Sequence, residues 1–469
     1  MIGFNKQPIA KSVKRKKVVF NHFAPAYMAD GVAELGVIGG DRTGLHTNKT
    51  LCGKKSENCD FGKNLLRQGI GARLVHGSGG FSITNLTAEN IVRSFNVRLK
   101  MADNSAVYER YLFACNDGYV RVYNEQMKAF EMGVVAGENV NGTLLRSVEG
   151  EEQFLLIGDE KAYYVTAEGT FVSLGSTPLT GMLCTCKNRL FVMLKDGKLA
   201  YSNPMTPWDI SESIDGGGRI EFPFAWGNPI SLIGTQEYVY VFFERLIVRI
   251  LVKGSGRDFC MEEIPYDGGK IVSGSPCGYA DGVIFLAEEG LWKIKGLTAE
   301  RFLKELYLDV SRTSPMCVAV VYNEKYFLRY INADCVVVNL EVGLDGLGWT
   351  NCFDMPCLSD NLDGPTFVQN SRLYQLESDV LLSNVYARFE SVDCDFGWRG
   401  KKVLRRLTLA GKGSLAVEVF YDGKMTRYNI TFVDGKATID VGVRAKQFSF
   451  AIEIKTKSYL RSMGVEIEA

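Results

Sequence analysis

The sequence has little histidine and no paired metal-binding cysteines. Only three of its 469 residues are histidine, at His22, His46 and His76. Histidine is the usual general base of enzymes, and a zinc site usually needs histidine or paired cysteines. The twelve cysteines are scattered, and no two have the C-x-x-C spacing of a zinc ribbon. These absences argue against histidine-based catalysis and zinc binding, and we expect buried thiols in a reducing compartment.

Nucleotide loops, calcium loops and long apolar runs are also missing. The sequence has no GxxxxGK[ST] loop, no GxGxxG that opens a helix and no D-x-D-x-D-G loop. Its most apolar stretch, Glu237–Val252, is interrupted by Glu244, Arg245 and Arg249, so it is not expected to span a bilayer. The first residues do not have the pattern of a secretory signal. We therefore expect a soluble protein made in the cytosol, with no metal, no cofactor and no membrane span.

The charges balance, with 54 Lys and Arg residues against 54 Asp and Glu residues. This balance excludes a strongly basic coat for nucleic acid or membranes, although it allows a local patch. One such patch lies at the start, where every charged residue before Asp30 is basic. We predict that this arm docks on an acidic protein surface, with sequence-blind contact to DNA phosphates as the alternative. The candidate residues are Lys11, Lys14, Arg15, Lys16 and Lys17.

Strand signals dominate the sequence, and helix signals are few. The best short helix candidates are Thr298–Val310 and Ser378–Glu390. Elsewhere a unit of apolar strand, polar turn and second strand recurs, with starts at Arg110, Glu152, Asn188, Glu237, Asp281, Glu324 and Ser371. The starts are roughly 35 to 50 residues apart, which is typical of four-stranded propeller blades. We predict six or seven blades over residues 75–385; a sandwich built from unrelated hairpins is the alternative.

The two ends of the chain have different patterns. Residues 386–469 contain separate antiparallel strands, among them a hairpin with a type I′ turn at Asp422 and Gly423. In "QFSFAIEIK" the residues alternate between an apolar face, expected to be buried, and a face expected to be exposed to solvent. The apolar residues are Phe448, Phe450, Ile452 and Ile454. Residues 1–74 have little periodicity. The predicted fold class is therefore all-β: a β-propeller, a C-terminal β-sandwich-like sheet domain over 386–469, and an irregular N-terminal docking arm over 1–74.

Three consecutive runs carry a family resemblance: "NRLFVMLKDGKLAYSNPMTPWDISES", "IDGGGRIEFPFAWGNPISLIG" and "EYVYVFFERLIVRIL". We expect Pro204 and Pro207 to stop strand pairing, Trp208 to pack between blades and Asp209 to cap the following turn. Together the runs resemble the propeller of the tailed-phage tail nozzle, or packaged-DNA stabilisation, family. The stretches "DFGWRGKKVLRRLTLAGKGSLAVEVFYDGK" and "YLRSMGVEIEA" resemble the terminal sheet domain of such proteins.

The resemblance implies a structural role with no enzymatic activity. Nozzle proteins form a ring, usually of six copies, below the portal and adaptor, which retains packaged DNA and passes it at infection. The implied partners are other copies in a hexamer, the portal, the adaptor and other tail proteins, and double-stranded DNA bound non-specifically. The implied location is the virion, with assembly in the host cytoplasm.

Two other functions remain open from the residues. The first is a receptor- or glycan-binding propeller of a phage tail. The second is a propeller glycosidase, which would need two carboxylates at the channel. The acidic residues at predicted blade turns, Asp117, Asp196, Asp267 and Asp281, are better explained by the turns themselves, because Asp tolerates turn backbone and bonds its own main chain.

Overall fold

The computed structural model describes an all-β chain. The residues that it describes are 15–24, 37–38, 49–60, 66–68, 72–75, 91–100, 107–124, 129–146, 150–174, 179–204, 206, 209–212, 216–280, 282–303, 308, 310, 317–331, 334–340, 349–352, 354–361, 364–369, 372–376, 387–398, 400–455 and 457–468. They divide into two compact units. We call one the sandwich unit (Met1–Gly71, Glu341–Asn351 and Leu381–Ala469) and the other the propeller unit (Ala72–Leu340 and Cys352–Val380).

The early strands are β1 (Arg15–Ala24), β2 (Val37–Ile38), β3 (Lys49–Glu57), β4 (Cys59–Asp60), β5 (Leu66–Gln68) and β6 (Ala72–Leu74). The next are β7 (Ile91–Lys100), β8 (Val107–Cys115), β9 (Tyr119–Asn124), β10 (Ala129–Val135), β11 (Asn141–Arg146), β12 (Glu152–Ile157), β13 (Ala162–Val165), β14 (Phe171–Ser173), β15 (Leu179–Cys186), β16 (Arg189–Leu194), β17 (Leu199–Tyr201) and β18 (Gly218–Ile220).

The middle strands are β19 (Ser231–Gly234), β20 (Tyr238–Phe242), β21 (Ile247–Leu251), β22 (Cys260–Ile264), β23 (Cys277–Tyr279), β24 (Gly282–Ala287), β25 (Gly290–Lys295), β26 (Thr298–Phe302), β27 (Val318–Tyr322), β28 (Lys325–Ile331), β29 (Asp334–Asn339), β30 (Trp349–Cys352), β31 (Thr366–Gln369) and β32 (Arg372–Leu376). The last are β33 (Ala387–Ser391), β34 (Lys402–Lys412), β35 (Ser414–Tyr421), β36 (Lys424–Thr431), β37 (Lys436–Ala445), β38 (Ser449–Ile454) and β39 (Tyr459–Glu468). Two short 3₁₀ turns cover Phe224–Trp226 and Gly256–Asp258.

The propeller unit is a series of antiparallel sheets, which we number as blades. Blades 1 to 5 each have four strands in sequence order: β7–β10, β11–β14, β15–β18, β19–β22 and β23–β26. Blade 6 contains β27, β28 and β29, and blade 7 contains β31, β32 and β6. Blade 7 also has an inner bridge, in which Ser359 and Thr366 exchange backbone hydrogen bonds of 2.9 Å. The described residues of the propeller unit therefore form a β-propeller of seven blades.

Blade 7 joins residues that are distant in the sequence. Its outer strand β6 pairs with β32, so that Leu74 lies opposite Tyr374. The backbone N–H of Ser94, at the start of blade 1, donates to Ser359 Oγ at 3.0 Å. Early and late segments therefore close the ring together. The sequence-based boundary placed residues 72–74 in the N-terminal arm, whereas in the structure they complete a blade.

Apolar side chains fill the spaces between successive blades. The rings of Phe95 and Phe154 lie 5.6 Å apart between blades 1 and 2, and those of Phe242 and Phe285 lie 5.4 Å apart between blades 4 and 5. Blades 7 and 1 share a fully buried cluster, including Phe113, Val368 and Leu373. A blade cannot bury both faces alone, so this stacking supplies the core that the hairpin pattern required.

The helix predicted over Thr298–Val310 is wrong in its described first part. Residues Thr298–Phe302 form β26, the fourth strand of blade 5, and pair with Leu291–Lys295. Their exposure is mixed along the strand, because an outer strand has solvent on one side. An alternation of this kind over few residues does not distinguish a helix from an edge strand.

The sandwich unit contains strands from both ends of the chain. The basic strand β1 lies between β39, to which it is antiparallel, and β3, to which it is parallel. On the far side of β39 the order continues with β34 and β37, and a second set of strands runs β33, β38, β35, β36. Val18, Phe20 and Phe23 of β1 are buried in the shared core. The two regions separated in the sequence-based division, 1–74 and 386–469, thus contribute to one unit, apart from residues 72–74.

The structure tests two local predictions for the C-terminal strands. Asp422 and Gly423 have φ values of 44° and 74°, as a type I′ turn between β35 and β36 requires. The apolar face of β38 is fully buried as predicted. The opposite face was predicted to be exposed to solvent, but two of its residues, Ser449 and Ala451, are also buried.

An ion-pair network covers this second face of the sheet. Glu418 of β35 accepts hydrogen bonds from Arg388 at 2.9 Å and Arg427 at 2.6 Å. Arg427 also donates to Glu453 at 2.9 Å. The Glu418 side chain is only 9% exposed, and although burial acts in the opposite direction, the two arginines hold the pKa of its carboxyl below the usual value.

Replacing Glu418 with glutamine is expected to lower the free energy of unfolding by about 2 kcal/mol, because the partly buried Arg388 and the more exposed Arg427 lose a buried charged acceptor. Chemical unfolding of both proteins measures the difference. The matched control is Asp440→Asn, which removes an exposed partner of Arg406, with side chains 49% and 79% exposed. The control should leave the unfolding midpoint essentially unchanged. Equal effects of the two variants would contradict the role given to the network.

Candidate functional site

The first strands of the blades surround the centre of the propeller. Asn141 of β11 donates from its side chain to the carbonyl oxygen of Gly181 on β15 at 2.7 Å. A Cβ on Gly234 of β19 would lie 2.1 Å from the carbonyl oxygen of Thr185 on β15, so these backbones touch. The innermost strands therefore form a tight ring, and a site inside the propeller would lie on them.

Arg93 and Asp360 are charged groups at this centre. Arg93 lies on β7, and Asp360 follows the inner bridge of blade 7 directly. Burial lowers the pKa of Arg93 and raises the pKa of Asp360, while each charge acts on the other in the opposite direction. Asp360 is nevertheless exposed to solvent. Among the described residues, the charged group that acts on Asp360 is the Arg93 cation, whereas a glycosidase would pair two carboxylates.

Burial also raises the pKa of the nearby Cys277 thiol. Among the described residues, Arg93, Asp360 and Cys277 thus lie close enough to influence one another's pKa, and the Cys277 thiol stays protonated at neutral pH. A thiol in this state is a poor nucleophile. Sequence reasoning did not single out Arg93 or Asp360, because neither belongs to a motif and only ring closure brings them together.

The Pro-Trp-Asp segment belongs to the loop between β17 and β18 of blade 3. Pro207 and Trp208 lie outside the described residues. The carbonyl oxygen of Pro204 accepts a hydrogen bond from the Asn188 side chain at 2.7 Å. The carboxylate of Asp209 accepts one from the backbone N–H of Ser211 at 2.9 Å, and the hydroxyl of Ser211, together with this N–H, lowers the pKa of the carboxyl. The first bond holds the loop against the β15–β16 turn, and the second is local to the loop.

Arg189, at the start of β16, connects this loop to the next blade. Its guanidinium donates to three carbonyl oxygens: Ser202 at 2.7 Å, Gly216 at 3.1 Å and Gly254 at 2.9 Å. Ser202 and Gly216 flank the loop of blade 3, and Gly254 lies in the matching loop of blade 4. Arg189 is 4% exposed, and burial lowers its pKa. The guanidinium also lies 5.7 Å from the centre of the Phe259 ring.

A buried lysine plays a similar part between blades 5 and 6. Lys293 is 6% exposed, and its ammonium donates to the carbonyl oxygen of Leu340 at 3.1 Å. The same Nζ lies 3.6 Å from the centre of the Phe302 ring. Burial lowers the pKa of Lys293 to about 8. The position of a lysine inside the apolar run "LWKIK" could have marked Lys293 as a buried charge in the sequence. Its contacts with Leu340 and Phe302 connect the two blades and give it a structural role.

The predicted basic arm is only partly described. Lys11 and Lys14 lie outside the described residues. Arg15 lies 3.4 Å from Glu468, and Lys16 donates to the carbonyl oxygen of Phe396 at 2.8 Å. Lys17 is exposed on the same strand. Two of the five candidate cations thus have partners within their own unit, and both Arg15 and Lys17 face solvent.

Among the residues that the structure describes, no group of three or more His, Cys, Asp or Glu side chains is arranged to hold a metal ion. In the same part of the chain, Cys260 is exposed and the other described cysteine side chains are buried. The described residues also contain no helix with the length and apolarity needed to cross a membrane.

Comparisons with known proteins give matches of fold at low similarity. No protein-family model matches the chain, and no curated protein matches it. Virginiamycin B lyase from Staphylococcus aureus is 11% identical, with a TM-score of 0.41, over 63% of this chain and 97% of that one. The RRP9 WD40 repeats are 10% identical, with a TM-score of 0.41, over 66% of this chain and 100% of that one. BamB from Moraxella catarrhalis is 12% identical, with a TM-score of 0.36, over 60% and 85%.

Proposed function

We propose that this protein is a structural component of a bacteriophage tail. In this proposal, copies of the chain form a ring, or nozzle, around the DNA channel below the portal and adaptor. The ring, most simply a hexamer, retains packaged DNA and passes it at infection. The protein works in the virion, is assembled in the host cytoplasm, and has no catalytic activity.

The observation that carries the proposal is the use made of the residues that carry the family resemblance. The run from Asn188 to Leu251 builds the last three strands of blade 3 and the first three of blade 4. Both buried guanidinium groups in its described part are occupied: Arg189 donates to three main-chain carbonyl oxygens, and Arg249 donates to Glu262. The described part of the run therefore uses its buried charges to join strands and blades, which supports a structural role. A net charge of zero also fits a conduit, because a strongly basic lumen would grip DNA that must slide.

Cryo-electron microscopy of virions that contain this chain tests the proposal. The expected result is a closed ring of copies below the portal and adaptor, with DNA density along its axis. A chain that instead decorates fibres and binds glycans would support the receptor-binding alternative. Cleavage of a polysaccharide that is lost on replacing Asp360 with asparagine would support the glycosidase alternative. Either outcome would overturn the structural proposal.

A further inference from the structure

Charge is divided unevenly between the two units. The propeller unit has 27 Lys and Arg residues against 37 Asp and Glu residues, a net charge of −10. The sandwich unit has 27 Lys and Arg residues against 17 Asp and Glu residues, a net charge of +10. The zero balance of the whole chain is therefore the sum of an acidic unit and a basic unit, and each unit attracts a surface of the opposite charge.

The positive charge of the sandwich unit is concentrated on one of its two sets of strands. The adjacent strands β37, β34, β39 and β1 carry ten cations and three carboxylates. We call these four the basic strands. The other set, β33, β38, β35 and β36, carries three cations and three carboxylates, and all of these except Lys424 belong to the ion-pair network of Glu418.

Eight of the ten cations on the basic strands are exposed. Arg15 and Arg405 share Glu468 as an ion-pair partner. Arg406 pairs with Asp440. The other five exposed cations have no ion pair among the described residues; they are Lys17, Lys412, Lys436, Arg444 and Arg461. Neighbouring strands lie about 4.8 Å apart, so these like charges repel one another, and an acidic surface that covers them relieves the repulsion.

The propeller unit presents acidic groups on the face that carries the connectors between its blades. Strands alternate in direction within a blade, so these connectors and the loops between second and third strands lie on one face, which we call the connector face. In blades 1 to 5 the described residues of these segments include ten carboxylates and five cations. Five of the carboxylates have no ion pair within the described part of the chain; they are Glu138, Glu160, Asp196, Asp267 and Glu289.

Three acids of the connector face lie close together where blade 4 meets blade 5. Burial and the carboxylates of Glu289, Glu288 and Asp267 raise the pKa of the Tyr266 hydroxyl, so all three acids are near this one side chain. Glu288 lies 3.7 Å from Arg245, whereas Asp267 and Glu289 are exposed. This part of the connector face is complementary in charge to the basic strands.

We propose that the basic strands of one copy dock on the connector face of the next copy, around Asp267 and Glu289. A second copy is the partner because each copy presents both a basic and an acidic surface, so the contact repeats from copy to copy. The two surfaces differ, so the association is head-to-tail, the type of contact that generates rings or filaments. DNA is the less suitable occupant, because cations that grip phosphates oppose the sliding that a conduit requires. The inference deepens the proposed function and rests on it for the closure of the ring.

Charge reversal with rescue tests the contact in the full-length chain. The strand variant is Lys436→Glu with Arg444→Glu, and the propeller variant is Asp267→Lys with Glu289→Lys. At low salt, about 50 mM, each variant alone should self-associate at least tenfold more weakly than wild type, because like charges meet at the contact. An equimolar mixture of the two should regain most of the association, since each reversed surface finds the opposite charge on the other variant. Sedimentation and mass photometry measure the association.

The matched control is Lys424→Glu with Lys455→Glu, which changes the charge of the sandwich unit equally at exposed residues outside the basic strands. It should associate like wild type, and circular dichroism checks that every variant is folded. Multimers that persist in both reversal variants would overturn the contact and leave the proposed ring standing. Weakened association with no recovery in the mixture would also overturn it.

Binding of a short DNA duplex separates the remaining alternative. If the strand variant lost duplex binding but kept wild-type self-association, the contact would be overturned in favour of a DNA surface on the basic strands. A wild-type chain that stays monomeric at low salt would overturn the contact too, whereas the ring itself is tested independently by the maps of virions.

Discussion

Replacing Arg189 with methionine is expected to lower the free energy of unfolding by about 4 kcal/mol. The variant keeps much of the side-chain volume but leaves three carbonyl oxygens, those of Ser202, Gly216 and Gly254, without their donor. Each buried acceptor left without a partner costs about 1 to 3 kcal/mol. Because two of these oxygens are in blade 3 and one is in blade 4, the loss falls on the junction between the blades. Chemical unfolding followed by tryptophan fluorescence measures it.

The matched control for this variant is Arg219→Met in the same blade. Arg219 is 47% exposed, and its pair with Glu212 spans 3.3 Å at the surface, so its removal should leave the unfolding midpoint essentially unchanged. Arg189→Lys should fall between wild type and Arg189→Met, since an ammonium keeps the charge but lacks the fork that reaches both blades. If Arg189→Met were as stable as Arg219→Met, the three hydrogen bonds would not contribute to the stability of the blade junction. The support that they give to the proposed function would then be lost.

Raising the pH from 9 to 10 is expected to lower the free energy of unfolding by about 5 kcal/mol. Burial raises the pKa of six described thiols from the usual value near 9; three of the raised values are about 11 for Cys186 and about 12 for Cys317 and Cys357. The other three thiols with raised pKa are Cys115, Cys184 and Cys277. Above pH 9 the unfolded chain releases these protons while the folded chain keeps them, so the unfolded state is favoured as the pH rises.

Lys293 acts in the opposite direction, because its folded pKa of about 8 lies below the usual 10.5. Its contribution to stability therefore grows between pH 8 and 10.5, by about 1.4 kcal/mol per pH unit, and offsets one thiol of the six. Unfolding midpoints in urea with a phosphine reductant, from pH 7 to 10, measure the balance. Cys317→Ala should reduce the loss between pH 9 and 10 by one thiol, about 1 kcal/mol, because a free thiol is already half ionised at pH 9; Cys260→Ala, at an exposed residue, should not change it. An unfolding midpoint that stays constant from pH 8 to 10 would show that the buried thiols lose their protons at the same pH in the folded and the unfolded chain.

The six hairpins predicted to start from Arg110 to Glu324 correspond to the second and third strands of blades 1 to 6, and the unit predicted to start at Ser371 matches β32 in its described part. The pair that starts near Asn188 is β16 and β17, and the pair near Asp281 is β24 and β25. Middle strands are covered by neighbouring strands on both edges and by neighbouring blades on both faces. Every residue of β24 is buried, and such strands have a continuous apolar sequence that is recognisable without structure. Inner and outer strands have mixed exposure, which is why Thr298–Phe302 was taken for part of a helix.

The candidate functional residues were less accessible to prediction. Asp209 could be assigned to a turn because Asp bonds its own backbone within a few residues. Arg189 stood in the quoted run, but its three acceptors lie 13, 27 and 65 residues away. Arg93 and Asp360 come together only when blade 7 meets blade 1. Lys16 belongs to a basic cluster in the sequence, yet its ammonium donates to a carbonyl 380 residues away.

The sequence by itself determined that this chain is built of β-strands and that its hairpins repeat at the interval of propeller blades, since both properties depend on local apolar patterning and turn residues. Only the tertiary structure decided that residues 72–74 complete the seventh blade, that β1 lies inside the sandwich unit, and that Phe224 is fully exposed. The reason is physical. Strand pairing and burial between distant segments depend on which surfaces meet when the ring closes, and hydrogen-bonding groups of the backbone are the same at every residue.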